Sequence, residues 1–229
     1  LAYLMTAYKV RGKKLIEILI IISMLSPPFI GAYSWILLGG RSGLITKLFH
    51  SIGIETPSIY GFGGILLVLT LKLFPFIYLY VSGALQKVDA SLIEASESLG
   101  CSPLKKVFTI MLPLIGPTLL AGSLWVFMNA SADFGTPVLI GEGFNVMPVM
   151  IYSEFISEVG GQANFSAAMA VIMVVITALL FAGQKYVVNK KSFTMSSLRP
   201  IQPAPFKGIF GWLAHTAVYF VVFLAIIPQ

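Results

Sequence analysis

Charge is scarce in this 229-residue chain. Only 10% of its residues are Asp, Glu, Lys or Arg, where soluble domains carry about a quarter. The few charges are lopsided, nine acidic against fifteen basic, for a net +6. Cysteine is all but missing: Cys101 stands alone, so no disulfide framework forms within the chain. His50 and His215 lie far apart, which leaves no spacing that a metal site uses. Short segments of alternating polarity, the mark of a membrane barrel, do not occur. Disorder is excluded from the other side, since 57% of residues are hydrophobic and disordered chains are poor in them.

What is there is apolar and helical. Mean hydropathy is +0.91, and five segments are long enough for a bilayer core of about 30 Å: Leu15–Leu38, Tyr60–Leu85, Leu114–Ala132, Ser166–Val188 and Ile209–Ile227. The fold class is therefore all-α, a polytopic helical membrane protein. Pro27-Pro28 breaks the first segment and Pro75 the second; freed carbonyls need a protein neighbour or water, so both helices belong inside a bundle. Residue 1 is Leu, and Leu1–Tyr8 is apolar but too short to span. The chain reads as a fragment of a longer one.

The basic residues give the orientation. Segments Lys9–Lys14, Gln86–Pro113 and Lys185–Lys207 hold twelve of the fifteen, among them Lys105, Lys106, Lys191, Arg199 and Lys207. The opposite loops hold Arg41 and Lys47. The positive-inside rule puts the first set in the cytoplasm and the five spans alternate without conflict. Dispersed among spans, these residues do not form a nucleic-acid patch. The outer loop after Asp133 carries Asp133, Glu142, Glu154 and Glu158 and no Lys or Arg; within it Val149, Tyr152, Phe155 and Ile156 share a face, as in a short helix on the outer surface.

Two charges fall where they are costly. Lys72 is mid-span, at about 2.5–3.5 kcal/mol on insertion scales; it marks either a polar pathway or a buried partner such as a carbonyl near Pro75. Asp133, at the outer end of its span, reads as a gate or loop anchor ahead of a metal ligand. The nine methionines are scattered packing residues, and Trp35 and Trp212 read as interfacial anchors.

The cytoplasmic loop Gln86–Pro113 carries the densest local signal. Ser91 with Glu94 three residues on is a capping-box pattern opening a short helix, whose apolar face is Leu92, Ala95 and Leu99. Gly100 stops it. Ser102 caps a second helix with Pro103 in its first turn, pointing Leu104, Val107, Phe108 and Met111 one way and Lys105, Lys106 and Thr109 toward the cytoplasm. Pro113 ends it. The unit is an elbow of two helices fixed to two spans, suited to a groove on a cytoplasmic partner.

These residues resemble a known family. Glu94-Ala95-Ser96, Gly100 after three further residues, and Ile110-x-Leu112-Pro113 after nine more are similar to the EAA loop of bacterial ABC importer permeases, with Ser96 in place of a second Ala. The resemblance implies a MetI-like transmembrane domain in the bacterial inner membrane. It also implies cytoplasmic ABC ATPase subunits that receive Glu94, Ala95, Ser96, Gly100, Ile110, Leu112 and Pro113, and a substrate-binding protein on the outer face. The chain has no G-x-x-x-x-G-K-[ST] loop, so ATP is left to that partner; no enzyme activity, cofactor or metal site is expected.

Ala132-Asp133-Phe134-Gly135-Thr136-Pro137 resembles a segment of ferric iron permeases, and this points to ferric iron as cargo. Lys72, Asp133, Phe134 and Gly135 are the candidate pathway residues. On the same resemblance, residues 1–188 are the transmembrane domain without its N-terminal part and 86–113 the coupling loop. Residues 189–208 are then a cytoplasmic linker, and 209–229 the truncated first span of a second half. Thiamine, phosphonate and polyamine permeases share the EAA loop and stay open as alternatives. So does an ion-coupled secondary transporter using Lys72 and Asp133, and a non-transporting scaffold.

Overall fold

Residues 1–157, 162–190 and 208–226, with Pro203 and Pro228, are described in a computed structural model of the chain. Glu158, Lys191, Arg199, Lys207 and most of the 189–208 linker lie outside the described residues. Every regular element among the described residues is helical: α1 (Ala2–Ala7), α2 (Lys13–Ser23), α3 (Pro28–Gly39), α4 (Leu44–Ser51), α5 (Phe62–Leu85) and α6 (Ala90–Ser98). Then follow α7 (Pro103–Lys106), a π-turn (Val107–Met111), α8 (Leu112–Ala132), α9 (Gly135–Ile140), α10 (Met147–Ile156), α11 (Ala163–Lys190) and α12 (Gly208–Ile226). Phe62–Leu85, Val107–Ala132 and Ala163–Val188 are long and apolar enough to cross a membrane.

The first apolar segment is broken as its prolines require. α2 ends at Ser23, Pro27 is extended, and Pro28 starts α3, a position where a missing N–H costs nothing. Pro75 behaves differently from expectation. α5 runs unbroken from Phe62 to Leu85 with Pro75 inside it and fully buried; the packing of α5 against α8 and α1 holds together a helix that proline alone would break.

α5 and α8 are antiparallel neighbours at the centre of the bundle. Gly122 lets the backbones close: a Cβ there would lie 3.0 Å from the Tyr80 side chain. One turn on, the Phe76 and Trp125 rings sit 4.0 Å apart between centroids. Two apolar clusters flank this pair. One gathers Met5, Val10, Leu85, Val88, Met111 and Ile115, which brings the segments read as cytoplasmic to one end. The other joins Trp35, Ile59, Ile65, Val68 and Ile140. Trp35 is therefore a core residue and not an interfacial anchor, while Trp212 is exposed.

α12 packs on α2 and α5, burying Val218, Val222 and Ala225, and the Tyr219 hydroxyl donates to the Arg11 carbonyl at 2.7 Å.

Candidate functional site

The elbow begins with a cap. The Asp89 carboxylate accepts the Ser91 N–H at 2.9 Å and starts α6, so the N-cap is Asp89 and not Ser91. Ser91 is instead the second residue of the helix, and its N–H is one of the unpaired donors that the Asp89 cap satisfies. The stop is as read from sequence. Gly100 is left-handed at φ +74°, its N–H bonds the Glu97 carbonyl at 2.9 Å, and the Cys101 N–H bonds the Ser96 carbonyl at 3.0 Å. This is the paired closure that a glycine after a helix permits. The Ser102 hydroxyl then accepts the Lys105 N–H at 3.4 Å, with Pro103 opening α7.

From Pro103 the helix does not stop at Pro113. It continues through the π-turn into α8 as far as Ala132, so Pro113 lies inside a continuous helix, two residues after the π-turn. The widened turn also changes which residues face outward. Val107 and Met111 pack into the cytoplasmic-end cluster, whereas Phe108 is 66% exposed. Lys106, read as solvent-facing, is buried and pairs with Glu97 across the elbow. α6 is rotated likewise: Ser96 is buried and Ile93 half-buried, while Leu92 and Leu99 stand 45% and 84% exposed. The surface offered by the elbow is thus apolar, Leu92, Leu99 and Phe108, beside exposed Glu94 and Ala95. Ser96 hides its hydroxyl by donating to the Ile93 carbonyl at 2.7 Å, so it serves as a small residue. Ile110 is half-buried in the π-turn and Leu112 partly exposed just after it.

All four candidate pathway residues meet at one cavity of about 440 Å³. Its walls are the break between α2 and α3, the middle of α5, and the junction of α8 with α9, with Ser23, Phe29, Phe76 and Asn129 beside Lys72, Asp133, Phe134 and Gly135. Lys72, ten residues into α5 and so about 15 Å from its outer end, pairs with Asp133. Asp133 is therefore at mid-depth rather than at the outer rim; its side chain is 8% exposed. Its other oxygen accepts the Thr136 N–H at 2.8 Å and anchors α9, a helix the sequence reading placed in loop. From there α9 climbs outward until the Ile140 carbonyl accepts the Gly61 N–H at 2.7 Å. Gly135 sits at a close approach, for a Cβ there would lie 2.9 Å from the Phe29 ring, which would have to shift. Phe134 stacks obliquely on Tyr152 of α10 with centroids 4.8 Å apart. Tyr152 and Phe155 line an open apolar pocket between α10 and α11. Among the described residues no group of His, Cys, Asp and Glu is arranged to hold a metal.

Glu97, Ser23 and Asn129 were not singled out by sequence. Ser23 and Asn129 carry a usable signal, a polar residue in an apolar span; the Glu97–Lys106 pair carries none, because its partners meet only once the elbow has folded.

Residues 1–193 match the family model described as binding-protein-dependent transport system inner membrane component. The chain belongs to that family. It is a multi-pass protein of the bacterial inner membrane. It is 28% identical over 185 residues to the ferric transport system permease protein FbpB of Actinobacillus pleuropneumoniae, covering 79% of this chain and 26% of that one. It is 27% identical over 161 residues to the putative 2-aminoethylphosphonate transport system permease protein PhnU of Salmonella typhimurium, covering 68% and 56%. The chain thus spans about a quarter of the first relative and little over half of the second. Among solved structures it is similar to an inward-facing MetNI methionine ABC transporter, with TM-score 0.57, 18% identity, and 80% and 77% coverage; that likeness concerns the fold. Family membership leaves the ion-coupled and scaffold readings without support.

Proposed function

We propose that this chain is the membrane-spanning part of an ABC import permease for ferric iron, driven by separate ATPase subunits that dock on the α6–α7 elbow and supplied by a binding protein on the outer face. The carrying observation is the elbow itself. A capped helix ends in a left-handed glycine, exposes Leu99 and Phe108, and runs without a stop into the central span α8. An exposed apolar patch of this kind marks a protein interaction surface, and a partner seated there moves α8 with it. Glu94 and Gly100 take the contacting and hinging roles in this reading, and Ile110, Leu112 and Pro113 the joint to the span.

Ferric iron is favoured by the Ala132–Pro137 stretch and by the FbpB relative. A phosphonate is the second reading, favoured by the PhnU relative. Residues 209–229, after the 189–208 linker, open a second transmembrane half in the same proposal. Uptake into proteoliposomes carrying the full permease, its ATPase and its binding protein tests cargo directly. ATP-dependent accumulation of radioactive ferric iron is expected; accumulation of 2-aminoethylphosphonate with no iron uptake overturns the ferric assignment.

A further inference from the structure

The continuous helix from Pro103 to Ala132 has a distinct device at each end. At the cytoplasmic end is the elbow, braced by the Glu97–Lys106 pair. About 45 Å away, at roughly 1.5 Å per residue, the helix stops at Asp133, which is held by Lys72 of α5. Beyond the stop, Asp133 also holds the first turn of α9 through Thr136. One carboxylate therefore ties three elements together, α5, α8 and α9, in the wall of the mid-membrane cavity.

We infer that Lys72 and Asp133 form a latch that keeps the α8–α9 junction closed on α5, and that movement of the elbow releases it to open the cavity to cargo. The inference rests on the permease reading and adds to it the residues that gate the path. Three observations carry it. The pair joins α5 to the outer end of the helix whose other end begins in the elbow. A lone charge within a span is costly, so separating the pair requires that the cavity both residues line hydrate the two ends. And the closed state is not fully satisfied, for the Thr136 hydroxyl beside Asp133 is buried without a hydrogen-bond partner, so a shifted α9 has something to gain. When separated, Lys72 and Asp133 supply one cationic and one anionic group to a chamber whose other walls include Phe29, Phe76 and Phe134 beside the neutral polar Ser23 and Asn129.

The full permease, reconstituted with its ATPase and ferric-loaded binding protein, tests this. The variants are Asp133→Asn, Lys72→Met and the exchange Lys72→Asp with Asp133→Lys. Two readouts are followed: the ratio of ATPase rates with and without loaded binding protein, and the labelling rate of Asn129→Cys, on a Cys101→Ser background, by a membrane-impermeant maleimide. Each single variant is expected to lose most of the stimulation ratio, by fivefold or more, through a raised unstimulated rate, and to label at least fivefold faster. The exchange is expected to return both readouts to within twofold of the parent. Single variants with the parental ratio and labelling overturn the latch, as does an assembled exchange that behaves like the singles. Asn129→Cys with the pair intact guards against variants that fail to assemble: its labelling is expected to change at least fivefold when the ATPase is trapped with vanadate, and an unchanged rate overturns the latch. A parent complex with no cargo-stimulated ATPase at all would instead sink the permease reading.

Discussion

Replacing Gly100 separates a backbone requirement from a spatial one. A Cβ built on Gly100 meets nothing within 4 Å, so a side chain has room; what it lacks is an easy left-handed backbone at φ +74°. For an L-residue that conformation costs about 1–2 kcal/mol, least for Asn and most for a β-branched residue. At about 1.4 kcal/mol per tenfold, the folded elbow loses roughly 5–30-fold in population against forms in which α6 and α7 are misaligned. If the elbow is the ATPase dock, as proposed, only its folded form binds, and the apparent ATPase affinity falls by up to the same factor. The expected order is Gly100 and Gly100→Asn tightest, Gly100→Ala weaker, Gly100→Val weakest. The assay is ATPase binding to the full permease in lipid nanodiscs at matched permease amounts, alongside cargo-stimulated hydrolysis. Equal affinity for the Val and Gly forms, or an Asn form as impaired as the Val form, would refute the reasoning.

Three other substitutions probe the scaffold. Asp89→Ala removes the α6 cap and is expected to cost about 0.5–2 kcal/mol of local stability, seen as faster amide exchange at Ser91 and Leu92, with Asp89→Ser restoring most of it. Gly64→Ala places a Cβ 1.4 Å from the Ile59 carbonyl oxygen, so the turn into α5 must move; a loss of roughly 1–3 kcal/mol should appear as a lowered melting temperature of the detergent-solubilised protein. Ser96→Ala should lie within about 0.5 kcal/mol of the parent, because the hydroxyl serves only the Ile93 carbonyl. Ser96→Leu, at the same buried position, should abolish ATPase docking while the spans still insert.

Three of the five apolar runs are helices long enough to cross a membrane. These and the elbow were legible in the sequence because both are written locally, in apolar runs and in Gly100, Ser102 and Pro103; the first run is instead split at its prolines into α2 and α3. The exceptions share a cause. Pro75 reads as a break when only its own helix is considered, yet α5 stays continuous through it, packed against α1 and α8. Pro113 reads as a stop, yet Met111 and Leu112 keep helical dihedrals up to it, and nothing local announces that α7 continues into α8. Leu92 and Leu99 share a face of α6 as the helical period says, but period alone does not tell which face turns outward: Ser96 is the side that packs, and Lys106 is drawn inward by Glu97, a partner across the elbow. The Lys72–Asp133 pair was half visible: each residue was conspicuous alone, but their contact spans 61 positions and is made by the antiparallel packing of α5 on α8.

The π-turn has a consequence for chain length. An α-helix advances about 100° per residue, so an extra residue would swing everything before it by that angle; a π-turn instead absorbs the extra residue as a local widening. Val107–Met111 thus contains one residue more than the helix needs to keep α6 and Leu99 on the side they now occupy. A permease one residue shorter within this stretch would close the turn as plain α-helix and still present its elbow to the same partner. Losing a second residue would turn the elbow about a quarter of the way round and leave the ATPase facing the wrong side of the lever.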